Sequence, residues 1–141
     1  MTAERLVIPL AWPSQELSPN ARVHWSKRAR AVREARRAAY LAMRLAAPKW
    51  IKVPHGHLVE IEFVFVPPNR RRFDDDGLAA RMKASRDGIA DYLGCDDNCF
   101  RQSHRVAKVP TPGGEVLVKI RILSGPETSP ESMAYAEIDA E

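Results

Sequence analysis

Hydrophobic and polar residues alternate most regularly over residues 58–66, LVEIEFVFV. Glu60 and Glu62 fall on one face of an extended chain, and Val59, Ile61 and Phe63 fall on the other. Successive side chains of a β-strand point to opposite faces, so this pattern predicts a strand that is buried on one face. Shorter apolar stretches predict three more strands, over residues 5–12, 100–109 and 115–123.

Proline and glycine positions indicate how these strands are arranged. Pro9 cannot donate a hydrogen bond to a neighbouring strand, so it predicts an edge or bulged position for the first strand. The sequence PTPGG at residues 110–114 separates the last two strands. Such turn-forming residues between two apolar runs predict a hairpin.

Two segments have the composition of helices. Residues 27–45 are rich in alanine, with Ser26 as a candidate N-cap, and carry six arginines against the single acid Glu34. This helix could present a solvated face or one that contacts phosphate, and the composition favours neither. Residues 76–93 predict a second helix, ended by Gly94. The predicted fold class is therefore α+β, with a small mixed or antiparallel sheet of about four strands packed against two helices.

Charge is distributed unevenly along the 141 residues. Residues 125–141 contain five acids and no lysine or arginine, a composition typical of a disordered tail. With those five set aside, thirteen acids face all twenty-two lysines and arginines, so residues 1–124 carry a formal charge of +9. We therefore expect one domain over residues 1–124 and an acidic tail over residues 125–141. A basic domain favours an anionic partner, with nucleic acid first.

The sequence bears on the expected location of the protein. No apolar run has the length of a membrane-spanning helix. Residues 1–10 lack the apolar core and cleavage site of a signal peptide. We expect a cytoplasmic protein with no membrane partner.

The candidate chemistry is concentrated between the long strand and the second helix. Arg70, Arg71 and Arg72 stand almost directly before Asp74, Asp75 and Asp76, and Asp96 and Asp97 follow the helix. Adjacent carboxylates repel one another and are stabilised by a cation between them. Divalent metals such as Mg²⁺ take one or two carboxylates and leave positions for water and phosphate oxygens. The neighbouring arginines suit a phosphate backbone. The pattern predicts a metal-dependent enzyme acting on nucleic acid.

Two geometric expectations follow from the predicted helix. On a helical wheel Asp76, Lys83 and Asp87 share one edge, where Lys83 could stabilise charge on a phosphate. An unbroken helix over residues 76–93 would be about 27 Å long. Asp97 can share a metal with Asp74 and Asp76 only if the helix is shorter or the chain after it runs back alongside. The four histidines show no ligand spacing, and surface or packing roles are expected for them.

Taken together, these segments resemble the RusA family of Holliday-junction resolvases, in particular its phage-encoded and prophage-encoded members. The family pattern combines a basic run, Asp-x-Asp-Asn-Leu, a helical Lys-x-x-x-Asp, a Gly-x-x-Asp-Asp loop and a strand with Arg-Val-x-Lys, after a proline-rich N-terminal loop. The corresponding segments here are residues 70–72, 74–78, 83–87, 94–97 and 105–108, with Pro13, Asn20 and Trp25 in the loop. The resemblance covers residues 5–123.

The resemblance implies a RusA-like fold with Asp74, Asp76 and Asp97 as metal-binding catalytic carboxylates and Lys83 as a catalytic lysine. It also implies Mg²⁺ as the cofactor, with Mn²⁺ as a substitute, and a homodimer as the working unit. The substrate class would be four-way DNA junctions, cut by paired symmetric nicks. The expected DNA-binding residues are Arg28, Arg70, Arg71, Arg72, Arg105 and Lys108.

The chain departs from the family pattern at three places. Gly77 stands where the family has asparagine, and Ala80 stands at the usual lysine position, one helical turn before Lys83. The loop before Asp96 is one residue shorter. These departures keep open a second interpretation, a protein of this fold that binds branched DNA without cutting it. A nucleotide-sugar transferase would need a longer chain, and the +9 domain argues against a small-molecule phosphohydrolase.

Overall fold

The computed structural model describes residues 4–47, 53–54 and 56–123, with the backbone alone at Glu4 and Asp97. The predicted acidic tail over residues 125–141 lies outside the described residues, so it stays a prediction. Within the described residues, no helix is long and apolar enough to cross a bilayer.

Among the residues that the structure describes, four strands form one mixed sheet, as the sequence predicts. They are β1 (Glu4–Ala11), β2 (Val59–Val66), β3 (Phe100–Val106) and β4 (Glu115–Ile122), in the spatial order β1-β4-β2-β3. β4 is antiparallel to both of its neighbours, whereas β2 and β3 are parallel. β1 pairs only with β4, which confirms the edge position expected from Pro9.

The predicted hairpin between the last two strands is wrong. β3 and β4 do not pair, because β2 lies between them. The connection over residues 107–114 has to cross only the end of β2, a distance of about two strand spacings or 10 Å. Eight residues span this gap easily, so turn-forming residues alone do not determine which strand the chain joins next.

Three α-helices form in the described part of the chain, where two were expected. α1 (Trp25–Ala46) begins two residues earlier than predicted, and its N-cap is His24, whose Nδ1 accepts a hydrogen bond from the backbone N–H of Ser26. The predicted second helix is divided into α2 (Asp75–Ala80) and α3 (Lys83–Leu93), separated by a turn at residues 81–82. Gly94 ends α3 in the left-handed conformation, with φ +66°.

The helices cover one face of the sheet and enclose the core there. Val59, Ile61 and Phe63 are buried on this inner face, which confirms the alternation read from the sequence. Met43 of α1 and Ile89 of α3 join the same cluster. The opposite, outer face of the sheet carries Glu60 and Glu62 with basic residues of the neighbouring strands: Arg101, Arg105, Lys119 and Arg121.

A glycine allows α1 and α3 to approach closely. Gly88 is buried in the middle of α3. A Cβ at this position would overlap the backbone carbonyl oxygen of Arg36 and would lie 3.1 Å from the Cβ of Ala39. The obstacle is backbone rather than a flexible side chain, so the two helices would have to separate to accommodate it.

Substitution Gly88→Ala should therefore destabilise the protein despite the better helix propensity of alanine. Overpacking of this kind costs about 1–3 kcal/mol of unfolding free energy. Gly77→Ala in α2 is a comparison variant that should cost less, since its Cβ would meet a side chain, the Asp74 carboxylate at 3.2 Å, rather than backbone. Urea unfolding of both variants checks this expectation, and equal stability of the two would contradict it.

An ion pair also joins α1 to α3 on the surface. The Arg36 guanidinium donates from Nε to Asp91 Oδ2 at 2.6 Å and from a terminal nitrogen to Oδ1 at 2.8 Å. Hydrogen bonding from Arg36 lowers the pKa of Asp91 below its ordinary value, and the same contact raises the pKa of Arg36. Both side chains remain about half-exposed, so solvent screens the pair.

The Asp91 pair should make a small contribution to stability that depends on pH. Because the folded-state pKa is lowered, the contribution is present above the unfolded-state pKa and is lost as the pH falls through the folded-state value. Asp91→Asn should cost about 0.5–1 kcal/mol at neutral pH. The difference between wild type and variant should vanish at the acid end of a stability series. A difference that stays constant with pH would exclude this ion pair as its source.

Candidate metal and nucleic-acid site

The candidate site is built where β3 returns beside β2. After β2 the chain passes through the exposed basic residues Arg70, Arg71 and Arg72 and then enters α2. It crosses over as α2 and α3 and comes back as β3, parallel to β2. This parallel return brings β3 alongside the start of α2. Residues about thirty positions apart along the chain thereby become neighbours.

The three consecutive aspartates occupy different positions at the start of α2. Asp74 is the N-cap of α2, and its Oδ1 accepts a hydrogen bond from the backbone N–H of Asp76 at 3.2 Å. Aspartate is among the preferred N-cap residues because it satisfies a backbone donor that the helix leaves unpaired. Asp75 and Asp76 lie in the first turn, where the positive end of the helix favours negative charge.

Asp75 and Asp76 meet His104 from the neighbouring strand. The Nε2 atom of His104 lies 3.2 Å from Oδ1 of Asp76 and 3.8 Å from Oδ2 of Asp75. One ligand atom from each of the three residues lies within 4.8 Å of the other two. Among the described residues this is the one cluster of three or more acidic, histidine or cysteine side chains with the spacing of a metal site. Both carboxylates are exposed, and the imidazole is partly buried.

Sequence reasoning missed Asp75 and His104 as members of this cluster. His104 pairs in register with Phe63, which is buried on the inner face, so its ring is directed to the side of the sheet that carries α2. The alternation along β3 could have placed His104 on that face. The parallel pairing of β2 with β3, however, joins residues that are far apart in the sequence. The predicted hairpin between β3 and β4 gave no indication of this pairing.

The other predicted carboxylate, Asp97, begins a short 3₁₀ turn that leads into β3. It lies three residues before Phe100, the first residue of β3 that pairs with β2, so it precedes the returning strand. His104, the residue that this strand brings to Asp76, lies seven residues further along the chain. The structure describes only the backbone of Asp97. The part of Asp97 in the metal set stays a prediction.

Lys83 begins α3, beyond the turn that interrupts the predicted helix. Its Nζ lies 3.6 Å from Oδ2 of Asp87, one helical turn further along. The ammonium is well exposed, with 71 % of its side chain open to solvent. Because the helix breaks at residues 81–82, a single helical wheel does not relate Lys83 to Asp76.

The predicted DNA-binding residues occupy several surfaces. Arg70, Arg71, Arg72 and Lys108 are exposed in loops. Arg105 extends from the outer face of the sheet, 3.8 Å from Glu62, and so lies on the opposite side of β3 from His104. Arg28 is partly buried and donates to the backbone carbonyl of Ser18 at 2.7 Å, which fastens the N-terminal loop to α1.

A side-chain hydrogen bond joins α3 to the inner face of β3. Arg86 of α3 donates to Oε1 of Gln102 at 2.7 Å. Gln102 precedes His104 by two residues and so shares its face of the strand, about 7 Å away. Arg86 thus ties α3 to the strand that carries the imidazole. Sequence reasoning gave no signal for this contact.

Comparison with known proteins places the chain in a family without assigning an activity. No family model matches it. Over 113 residues the chain is 41 % identical to a protein of Xylella fastidiosa (strain Temecula1 / ATCC 700964) that bears the name "Uncharacterized protein". The match covers 80 % of this chain and 74 % of that protein. The chain therefore belongs to the same protein family as this Xylella fastidiosa protein.

Proposed function

We propose that this protein is a Mg²⁺-dependent endodeoxyribonuclease that acts as a homodimer and cuts four-way DNA junctions by paired symmetric nicks. The observation that carries the proposal is the cluster of Asp75, Asp76 and His104, whose carboxylates follow the exposed arginines at residues 70–72 closely along the chain. Acidic ligands beside phosphate-binding cations are the combination that metal-assisted phosphodiester hydrolysis requires.

The donor set fits a hard divalent cation. The carboxylates of Asp75 and Asp76 supply oxygen ligands, which Mg²⁺ and Mn²⁺ prefer, and their exposure leaves room for water and phosphate oxygens. Imidazole is a better ligand for softer metals than for Mg²⁺. We therefore assign the two carboxylates as ligands and His104 as the group that orients Asp76 by hydrogen bonding.

The residues around the proposed metal site have separate roles in this mechanism. Bound Mg²⁺ supplies Lewis-acid chemistry, since it polarises a phosphoryl oxygen and lowers the pKa of an attacking water. Asp74 holds the first turn of α2 in place through its N-cap hydrogen bond, and so positions Asp76. Gly77 leaves the Asp74 carboxylate uncrowded, because a Cβ there would approach Oδ2 to 3.2 Å. Arg70, Arg71 and Arg72 bind the phosphate backbone beside the cut.

The charge of the chain supports a polyanionic substrate. Residues 1–124 carry a formal charge of +9, which attracts nucleic acid more strongly than it attracts a small phosphate ester. The choice of four-way junctions over other branched DNA rests on the resemblance to the RusA family.

One observation favours a second candidate function, the binding of branched DNA without cleavage. Lys83 is paired with Asp87 at 3.6 Å and is separated from Asp76 by the turn between α2 and α3. The Asp87 carboxylate offsets part of the positive charge that a catalytic lysine would supply to a phosphate. Cleavage by the wild-type protein decides between the two functions.

The proposed metal site predicts distinct effects for its ligands and for its orienting residue. Asp76→Asn removes a charged ligand and should abolish measurable binding of Mn²⁺, used as a spectroscopic probe. His104→Gln keeps a hydrogen-bonding side chain and should weaken binding by about 10-fold to 100-fold. Electron paramagnetic resonance titration of free Mn²⁺ measures both. Asp87→Asn serves as a control that removes an acid outside the cluster, and equal losses in all three variants would reject the site.

The proposed activity predicts that cleavage and binding can be separated. With Mg²⁺, the wild-type protein should introduce paired nicks in a synthetic four-way junction. Asp76→Asn should lower the cleavage rate by at least about 100-fold and retain junction binding, because it removes metal ligation without removing phosphate contacts. Rapid-quench gel assays and fluorescence anisotropy provide the two readings.

Two results would count against this scheme in different ways. Cleavage by Asp76→Asn at the wild-type rate would remove Asp76 from the metal site. Tight junction binding by the wild type with no cleavage in either Mg²⁺ or Mn²⁺ would establish the second candidate function instead.

A further inference from the structure

The solvent-facing side of α1 carries a row of arginines that the proposed metal site does not use. Arg30, Arg33, Arg37 and Arg44 are all exposed. At 100° per residue they fall within a sector of about 60° on the helix surface. The first and last lie about 21 Å apart along the helix axis. These four arginines form the α1 arginine row.

One acid, Glu34, stands beside the row, four residues after Arg30 and three residues before Arg37. Among the described residues, none of its four members forms an ion pair. Glu34, the single acid of α1, lines the groove beside the loop that follows β1. Arg33 and Arg37 are one turn apart, a spacing at which like charges destabilise a helix. A bound polyanion would remove this repulsion.

Arg36 shows that an arginine of α1 can serve the fold instead. It faces α3 and is held by both carboxylate oxygens of Asp91. The buried side of α1, which includes Ala31, Ala39 and Met43, lies across the helix from the row. Packing therefore accounts for Arg36 and leaves the four members of the row unexplained.

The row and the metal cluster belong to elements that pack at different edges of the sheet. α1 contacts β1, at one edge of the sheet, whereas His104 belongs to β3, at the other edge. Two strands separate these edges, which places β1 and β3 about 14 Å apart. The row also points away from the sheet, since the buried residues of α1 lie on its other side, so we expect the row and the cluster to contact different lengths of DNA.

We propose that the α1 arginine row binds the phosphate backbone of a second duplex arm of the branched DNA whose first arm lies at the Asp75, Asp76 and His104 cluster. The inference rests on the proposed function. It identifies the α1 arginine row as the surface that allows the protein to distinguish a branched from a linear substrate. Along 21 Å of its axis, duplex DNA carries about twelve phosphate charges on its two strands, and those on one side face such a row. A junction engages both surfaces at once, and the second contact is then intramolecular.

The test is the double substitution Arg33→Gln and Arg37→Gln, compared with Arg101→Gln and Arg121→Gln. Both variants lose two cations, but the second loses them from the outer face of the sheet. Glutamine has nearly the helix propensity of arginine, so α1 should be preserved. Fluorescence anisotropy in EDTA and 0.1 M NaCl measures the affinity for a four-way junction and for one linear arm, and circular dichroism verifies folding.

The row variant should bind the junction about 10-fold to 60-fold more weakly, with a salt slope reduced by about 1.8. Its affinity for the linear arm should change by no more than about threefold, since that arm can still bind at the cluster. The sheet variant leaves Arg105 of the outer face in place and should show no more than about a threefold change on either DNA, because neither of its two positions belongs to the row or to the cluster. If the row variant fails to fold, Arg30→Gln with Arg44→Gln replaces it.

Three outcomes would overturn the inference. Equal losses in the row and sheet variants would show a general charge effect. Equal losses on junction and linear DNA would exclude a separate arm. A changed oligomeric state of the row variant in sedimentation would identify the row as an interface between copies of this chain. Because binding is measured without metal, continued cleavage by Asp76→Asn would reject the proposed metal site and leave this comparison intact.

Discussion

The parallel pairing of β2 with β3 is the constraint on which the candidate site depends. Parallel strands cannot be joined by a tight turn, so the chain has to cross over a layer of helix between them. Here the crossover is α2 followed by α3, and it returns β3 beside the beginning of α2. The contact of 3.2 Å between His104 and Asp76 exists only because of this return.

The crossover depends in turn on how closely its helices can lie against α1. Gly88 permits the approach of α3 to the backbone of α1, and the pair of Arg36 with Asp91 fixes the two helices at the surface. Met43, Ile89 and Phe63 fill the space between the helices and the sheet. The inner face of the sheet is thus occupied by packing except at the β3 edge, where the polar cluster lies.

Local patterns predicted the elements of this fold well, and the pairing between them less well. The alternation of Glu60 and Glu62 with apolar residues identified β2 and its buried face, because strand periodicity is a property of neighbouring residues. Pro9 correctly indicated an edge strand for a similarly local reason. The position of β4 between β1 and β2 is a long-range property, and the turn residues before it suggested a hairpin that does not form.

The candidate site shows the same division. Clustered aspartates and arginines drew attention to residues 70–76 from charge alone, whereas their partner His104 required knowledge of which strand lies beside α2. Lys83 was related to Asp76 by assuming one continuous helix, and the turn at residues 81–82 removes that assumption. The resemblance to the RusA family supplied a substrate class and the roles of Asp97 and Lys83, and these stay predictions.

The shortness of α2 has a consequence for its local stability. A helix of six residues is far below the length that holds together alone in water, because nucleation costs more than so few hydrogen bonds return. Its order therefore depends on the N-cap of Asp74 at one end and on the burial of Leu78 in the core. Such a segment opens more readily than the surrounding protein. Any cation gathered by Asp75 and Asp76 would therefore also contribute to the local folding of the turn that presents them.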